Sequence, residues 1–146
     1  MANSEKDLPL FVDLDGTLLK TDTMFEAMLI LFKKNIFYCL SILLWLAKGR
    51  ANLKFQLYSR VDMQVAALPV NTEFLKYLQM QKKKNRKLIL ISASSQKAVD
   101  QINSHMKIFD AAFGSDENIN LKGQKKLEKI KMLTGGEPFA YAGNSR

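Results

Sequence analysis

The stretch FVDLDGT, residues 11–17, sets Asp13 and Asp15 two positions apart directly after an apolar run and closes on Gly16 and Thr17. The run itself, residues 8–13 with Pro9 at its entrance, reads as a short buried strand, and Gly16 as the turn beyond it. Two carboxylates this close repel unless a cation lies between them or one takes up a proton. The pattern therefore suits a Mg²⁺ site paired with acid–base work. Gly16 permits the sharp turn and exposes backbone amides to an anion.

Working outward, residues 87–92, KLILIS, form a second continuous apolar run, as expected of a parallel strand covered on both faces. Residues 111–113 before Gly114 and residues 139–142 before Gly143 are shorter strand candidates. Helical patterns lie between them at residues 95–106 and 122–133, the second with Leu127, Ile130 and Leu133 on one face and lysines on the other. Strand followed by helix, repeated, predicts an α/β fold with a doubly wound parallel sheet. Residues 23–84 interrupt that rhythm with a long helical segment almost free of Gly and Pro, which reads as a cap over the sheet. The expected organisation is a core of residues 1–22 and 85–146 with the cap inserted at 23–84.

Inside the cap, residues 36–47, IFYCLSILLWLA, carry no charge and are flanked by Lys33, Lys34, Lys48 and Arg50. A helix apolar all round is either a buried helix of the cap or one that meets lipid or a partner, and this one is too short to span a bilayer. The basic cluster Lys82, Lys83, Lys84, Arg86 and Lys87 has two readings as well, a solvated helix C-terminus or a patch for an anionic leaflet.

Composition narrows the classes. A chain of 146 residues, 47% hydrophobic, can build one compact core. The formal charge of +8 favours an anionic partner such as a phosphorylated ligand or a membrane surface. No aromatic-interleaved basic platform is present, so nucleic acid is not expected. The single cysteine, Cys39, excludes an internal disulfide framework and any CxxC site. The start, MANSEKD, shows no cleavable signal, which makes the cytoplasm the expected location. His105 has no partners for an HExxH or Ser-His-Asp set, and neither a P-loop nor GxGxxG occurs. Asp116 in GSDEN lies near the site or caps its own loop.

In open α/β sheets the chemistry sits at the C-terminal ends of the strands. Asp13 and Asp15 end the first strand there. Ser92 ends the second and offers a hydroxyl with nearby amides to a phosphoryl oxygen, and Lys122 opens a helix where it can counter that group's charge.

These segments resemble the motifs of the haloacid dehalogenase (HAD) superfamily. FVDLDGT resembles motif one; LILISAS, residues 88–94, resembles motif two; NLKG, residues 120–123, resembles motif three; YAGNSR, residues 141–146, resembles the start of motif four. The resemblance covers almost the whole chain. More narrowly, DLDGTLLKTD through SDENINLKG to YAGNSR resembles the HAD domain preceding the membrane domain of some UbiA-type prenyltransferase proteins. The resemblance implies a Rossmann-like core with a C1-type cap and a Mg²⁺-dependent phosphohydrolase. In it Asp13 is the nucleophile and metal ligand, and Asp15 is the general acid and base with its backbone carbonyl on the metal. Gly16, Thr17, Ser92, Ala93 and Lys122 hold the phosphoryl group. Asn144 stands where many members place an acidic metal ligand, and the next acid is expected past Arg146, so a chain continuing beyond that residue is expected. The implied substrate is a small phosphate ester or a polyprenyl-phosphate-linked molecule, with the cytoplasmic face of the inner membrane or a C-terminal membrane domain as neighbour. The other reading is a regulatory or docking module of a membrane prenyltransferase, with little catalysis of its own.

Overall fold

The computed structural model describes residues 7–144; residues 1–6, and Ser145 and Arg146 at the end of the stretch resembling motif four, lie outside the described residues. The chain runs β1 (Leu10–Val12), α1 (Thr23–Lys34), α2 (Tyr38–Ala47), α3 (Arg50–Arg60), a 3-10 turn at Val65–Ala67, and α4 (Thr72–Lys83). It continues β2 (Leu88–Ser95), α5 (Gln96–Met106), β3 (Ala111–Ser115), α6 (Gln124–Thr134) and β4 (Ala140–Ala142). The four strands form one wholly parallel sheet in the order β3-β2-β1-β4, which is the predicted α/β architecture.

The apolar runs are continuous because both faces of the sheet are covered. Leu10, Val12, Leu88 and Leu90 point to one face, where Leu78 of α4 and Val99 and Ile102 of α5 complete the core. Phe11, Ile89 and Ile91 point to the other and meet Leu121 and Ile130. Phe139 closes that second layer by packing edge-on against Phe11, with ring centroids 5.7 Å apart. A third cluster is built by the inserted helices, with Ala27 and Leu31 of α1, Ile42 of α2 and Leu53, Leu57 and Tyr58 of α3. Ala98 of α5 belongs to it too and joins it to the sheet layer.

Several expected boundaries move, for local reasons. β2 continues past Ser92 to Ser95, because Ser95 still pairs with Ser115 of β3 after a register shift beyond Ile91. α5 then begins at Gln96, and the Ser95 hydroxyl accepts from the Ala98 amide as the helix cap. α6 begins at Gln124, so Lys122 lies in the loop before it. α4, drawn with the cap in the sequence reading, lays Leu78, Phe74 and Leu75 against the sheet cluster, whereas α1 to α3 share the separate one.

The basic cluster at the end of α4 is divided. Lys82 pairs with Asp110 at 2.6 Å, and Arg86 is buried, its Nε donating to the Leu8 carbonyl at 2.8 Å and its Nη1 to Gln81 Oε1 at 3.2 Å. Those two cations fasten α4 to the entries of β1 and β3. Lys83, Lys84 and Lys87 face solvent.

Candidate functional site

The turn after β1 is held from below by leucine. Leu14, Leu18 and Leu19 are fully buried, and the Leu14 carbonyl accepts from the amides of Thr17 at 3.3 Å and Leu19 at 2.9 Å. This anchoring leaves the polar residues between them on the outer side of the loop. Gly16 adopts φ +71°, a left-handed conformation that L side chains rarely take. A Cβ there would stand 2.7 Å from Asn144 Nδ2, so glycine also makes room for the segment after β4.

Asp13 lies just beyond β1, its amide donating to the Ala142 carbonyl of β4 at 2.9 Å. Its Oδ1 accepts from the Leu14 amide at 2.9 Å and from the Lys126 ammonium at 2.9 Å. Oδ2 accepts no hydrogen bond among the described residues. The ion pair is largely withdrawn from water, with the lysine and aspartate side chains 12% and 18% exposed. Lys126 sits at the start of α6, and its ammonium is 5.9 Å from the Tyr141 ring.

Asp15 occupies a different environment. Its Oδ1 accepts from the Thr23 amide at 2.9 Å and its Oδ2 from the Ser94 hydroxyl at 2.7 Å. The network continues inward: the Ser94 and Thr23 hydroxyls are hydrogen-bonded, and the buried Tyr58 hydroxyl donates to Thr23 Oγ1 at 2.7 Å. Burial raises the pKa of Asp15 above its ordinary value, against the hydrogen bonds from Ser94 and Thr23 that favour the charged form. Burial likewise pushes the Tyr58 phenol upward, so it serves as a neutral donor. Two adjacent carboxylates are thus separated in character, one paired with a lysine and the other desolvated.

Of the other expected residues, Gly16 and Thr17 share the loop after β1 with the two aspartates, and Asn144, on the loop after β4, lies against Gly16. Thr17 Oγ1 is buried without a hydrogen-bond partner among the described residues. Ser92 is fully buried and its hydroxyl accepts from the Ser94 amide at 3.1 Å, so Ser94 is the β2 hydroxyl that touches Asp15. The Ala93 carbonyl accepts from Lys54 of α3 at 2.7 Å and from Ser115 at 2.8 Å. Lys122 is exposed and its ammonium makes no hydrogen bond or ion pair among the described residues. The lysine on Asp13 is Lys126, four residues on. The reason is helical phase: α6 starts after Gly123, and its first turn carries Lys126 inward while Lys122 stays in the loop.

Sequence reasoning also missed Lys54, Ser94, Thr23 and Tyr58. Lys54 reaches from the cap to the Ala93 carbonyl and, at 3.2 Å, to Asn120 Oδ1. Burial lowers its pKa, with Lys122 and Lys126 acting in the same direction and Asp15 and Asp22 opposing. Asp116 has the local role among its two readings, its Oδ1 accepting from the amides of Asn118 and Ile119 at 2.9 and 2.7 Å. His105 is exposed in the last turn of α5.

No family model matches the chain. An uncharacterized protein of Sinorhizobium fredii, y4nM, is 34% identical over 141 residues, 97% of this chain but 27% of that protein, so the chain spans about a quarter of the relative. A HAD family hydrolase of Salmonella enterica serovar Typhi superposes with a TM-score of 0.60 at 15% identity, over 88% of this chain and 52% of that one. A substrate-bound phosphoserine phosphatase gives 0.57 at 15% identity, covering 90% of this chain and 73% of that one. A protein of unknown function from Bordetella pertussis Tohama I gives 0.57 at 11% identity, over 90% and 76%. With its parallel four-stranded sheet flanked by helices, the chain has the fold of the HAD-family hydrolases.

Proposed function

We propose that the chain is the phosphoryl-transfer domain of a HAD-type, Mg²⁺-dependent phosphohydrolase that acts on a small or lipid-linked phosphate ester. The observation that carries this reading is the division of labour between the two aspartates. Asp13 has one oxygen on Lys126 and one without a hydrogen bond, as a nucleophile requires, while Asp15 sits where burial favours its protonated form.

In this reading Asp13 Oδ2 attacks phosphorus, and the bond to the leaving oxygen breaks as Asp15 delivers its proton there. The product is an aspartyl-phosphate on Asp13. Asp15, now a carboxylate, takes a proton from water, whose oxygen attacks phosphorus and releases inorganic phosphate and the Asp13 carboxylate. Lys126 offsets negative charge on Asp13 and on the transferring group. Thr17 has a buried hydroxyl free to donate to a phosphoryl oxygen, and Lys54 brings a second cation to the site from the cap.

No group of three or more His, Cys, Asp or Glu side chains among the described residues could hold a metal. Mg²⁺ does not require one, because it keeps several waters and takes one or two carboxylates together with substrate phosphate. The Asp13 carboxylate fits that demand as the one charged ligand, and the Asp15 backbone carbonyl and the Asn144 amide oxygen would complete the set. When bound, the ion supplies neutralisation of phosphoryl charge.

The test is hydrolysis of an aryl phosphate with Mg²⁺ by the parent and by Asp13→Asn, run beside ¹⁹F spectra of beryllium fluoride as a stable mimic of the acyl phosphate. Activity and a bound fluoride signal are expected in the parent and neither in the variant. Equal rates in the two proteins would remove Asp13 from the nucleophile position. The uncharged Asn144 favours a second reading, a docking or regulatory module with weak catalysis beside a membrane prenyltransferase. A bound fluoride signal without turnover would support it.

A further inference from the structure

α2 has two apolar faces, and only one of them is covered. Ile42 is buried in the cap cluster with Tyr38 and Trp45 half-buried beside it. On the opposite side Leu40, Leu43 and Leu44 are 64%, 63% and 68% exposed, and they extend a patch begun by Ile36 and Phe37 at 66% and 73%. The spacing of Leu40, Leu43 and Leu44 places them along one side of a helix about 15 Å long, and Ile36 and Phe37 lie in the turn that leads into it. A contiguous apolar patch of this kind marks an interaction surface.

The surrounding charge identifies what it meets. Lys33 and Lys34 end α1 before the patch, Lys48 and Arg50 follow it, and all four are exposed. From residue 27 to residue 61 the chain has six Lys and Arg and no Asp or Glu. Three of the six have contacts within the cap or to the sheet: Lys54 reaches the Ala93 carbonyl, the Arg60 guanidinium lies 4.7 Å from the Trp45 ring centre, and the exposed Lys34 ammonium donates to the Arg60 carbonyl at 3.4 Å. Lys33, Lys48 and Arg50, with the still exposed Lys34, frame the leucines. A protein partner of ordinary composition offers no reason for such a complete exclusion of acids, whereas an anionic bilayer does. Its acyl boundary accepts Leu and Phe, and its headgroup phosphates attract the cations on either side.

We propose that α2 docks the cap in the plane of an anionic lipid surface. No helix among the described residues is long and apolar enough to cross a membrane, so the mode is peripheral. The contact does not depend on the chemistry assigned to Asp13, and it leaves that site's loops on other elements.

The test is co-sedimentation of the full chain with sucrose-loaded vesicles of mixed phosphatidylglycerol and phosphatidylcholine, against phosphatidylcholine alone. Binding to the anionic vesicles is expected to be at least about tenfold tighter and to weaken as salt is raised. Leu43→Glu/Leu44→Glu should lower it by about tenfold or more while the circular dichroism spectrum stays that of the parent. Cys39, the single cysteine and exposed on α2, provides an independent readout: an environment-sensitive fluorophore on it should shift to the blue on anionic vesicles. Absence of binding, equal binding to both vesicle types, or binding unchanged in the double variant would overturn the proposal. So would a lipid-free dimer that Leu44→Glu dissociates, since the patch would then belong to a second copy of the chain.

Discussion

Lys126 and Lys122 lie four residues apart in one lysine-rich segment, and replacing each by Met separates the structure's assignment from that of the sequence. In Lys126→Met the Asp13 carboxylate loses a charge-assisted bond of 2.9 Å in a pair whose side chains are only 12% and 18% exposed. A fully buried pair broken on one side costs about 3–5 kcal/mol, and a surface pair about 0–1 kcal/mol. This pair is mostly buried but edges on solvent and retains the Leu14 amide on the same oxygen, which places its loss at about 1–3 kcal/mol. For a chain of this length that corresponds to a fall in Tm of about 3–9 °C. If the proposed phosphoryl transfer takes place at Asp13, removal of the cation on it should also lower kcat by about 10²–10³. Lys122→Met removes an exposed cation without a partner among the described residues and should change stability by no more than about 0.5 kcal/mol. The assays are urea denaturation followed by circular dichroism, and Mg²⁺-dependent aryl phosphate hydrolysis on the same preparations. Equal losses in the two variants, or a larger loss in Lys122→Met, would refute the assignment of Lys126 to Asp13.

Asp15→Asn should dissociate stability from activity. A carboxyl whose folded-state pKa is raised favours the folded state most below its unfolded pKa, near 3.9, and loses that contribution as pH rises through the folded value. The variant's stability relative to the parent should therefore grow from pH 3 to neutrality in thermal denaturation, while hydrolysis falls by about 10²–10⁴; a relative stability that declines over that range contradicts the burial argument. Tyr58→Phe removes the donor to Thr23 and should cost about 1 kcal/mol, and a double-mutant cycle with Ser94→Ala should show coupling through Thr23. Strict additivity would mean that the hydroxyls do not act as one network. Gly16→Ala imposes a left-handed φ on an L residue and drives a Cβ against Asn144, so a loss of about 1–2 kcal/mol is expected, of which Asn144→Ala recovers only the steric part. Full recovery would show that the backbone at Gly16 is not strained by a side chain.

The site was legible where chemistry is written locally. Asp13, Asp15, Gly16 and Thr17 occupy a single turn after one strand, so their proximity follows from chain connectivity. Ser92 and Lys122 were reached by a weaker rule, that polar residues at strand ends and helix starts face the site. Ser92 is in place but buried, with its hydroxyl on a backbone amide, and the contact to Asp15 is made by Ser94 two residues later. Lys122 lies in the loop before α6, and it is Lys126, in the first turn of that helix, that meets Asp13. Lys54 and Tyr58 carried no local signal, because an ordinary Lys and Tyr in a helical pattern acquire their roles only when α3 is laid against β2, where Lys54 meets Ala93, and against α1, where Tyr58 meets Thr23.

By itself the sequence determined the α/β order of elements, the parallel character of the central strands and the placing of two carboxylates at the end of the first. Apolar runs free of charge demand cover on both faces, and a DxDG turn cannot put its aspartates far apart. Tertiary structure decided which lysine meets Asp13, which serine meets Asp15, and that α4 belongs with the sheet. It also decided that α2 covers only one of its apolar sides. In each case competing residues had the same composition and nearly the same position. The difference between them lay in helical phase and packing partners, which arise only from contacts distant in the chain.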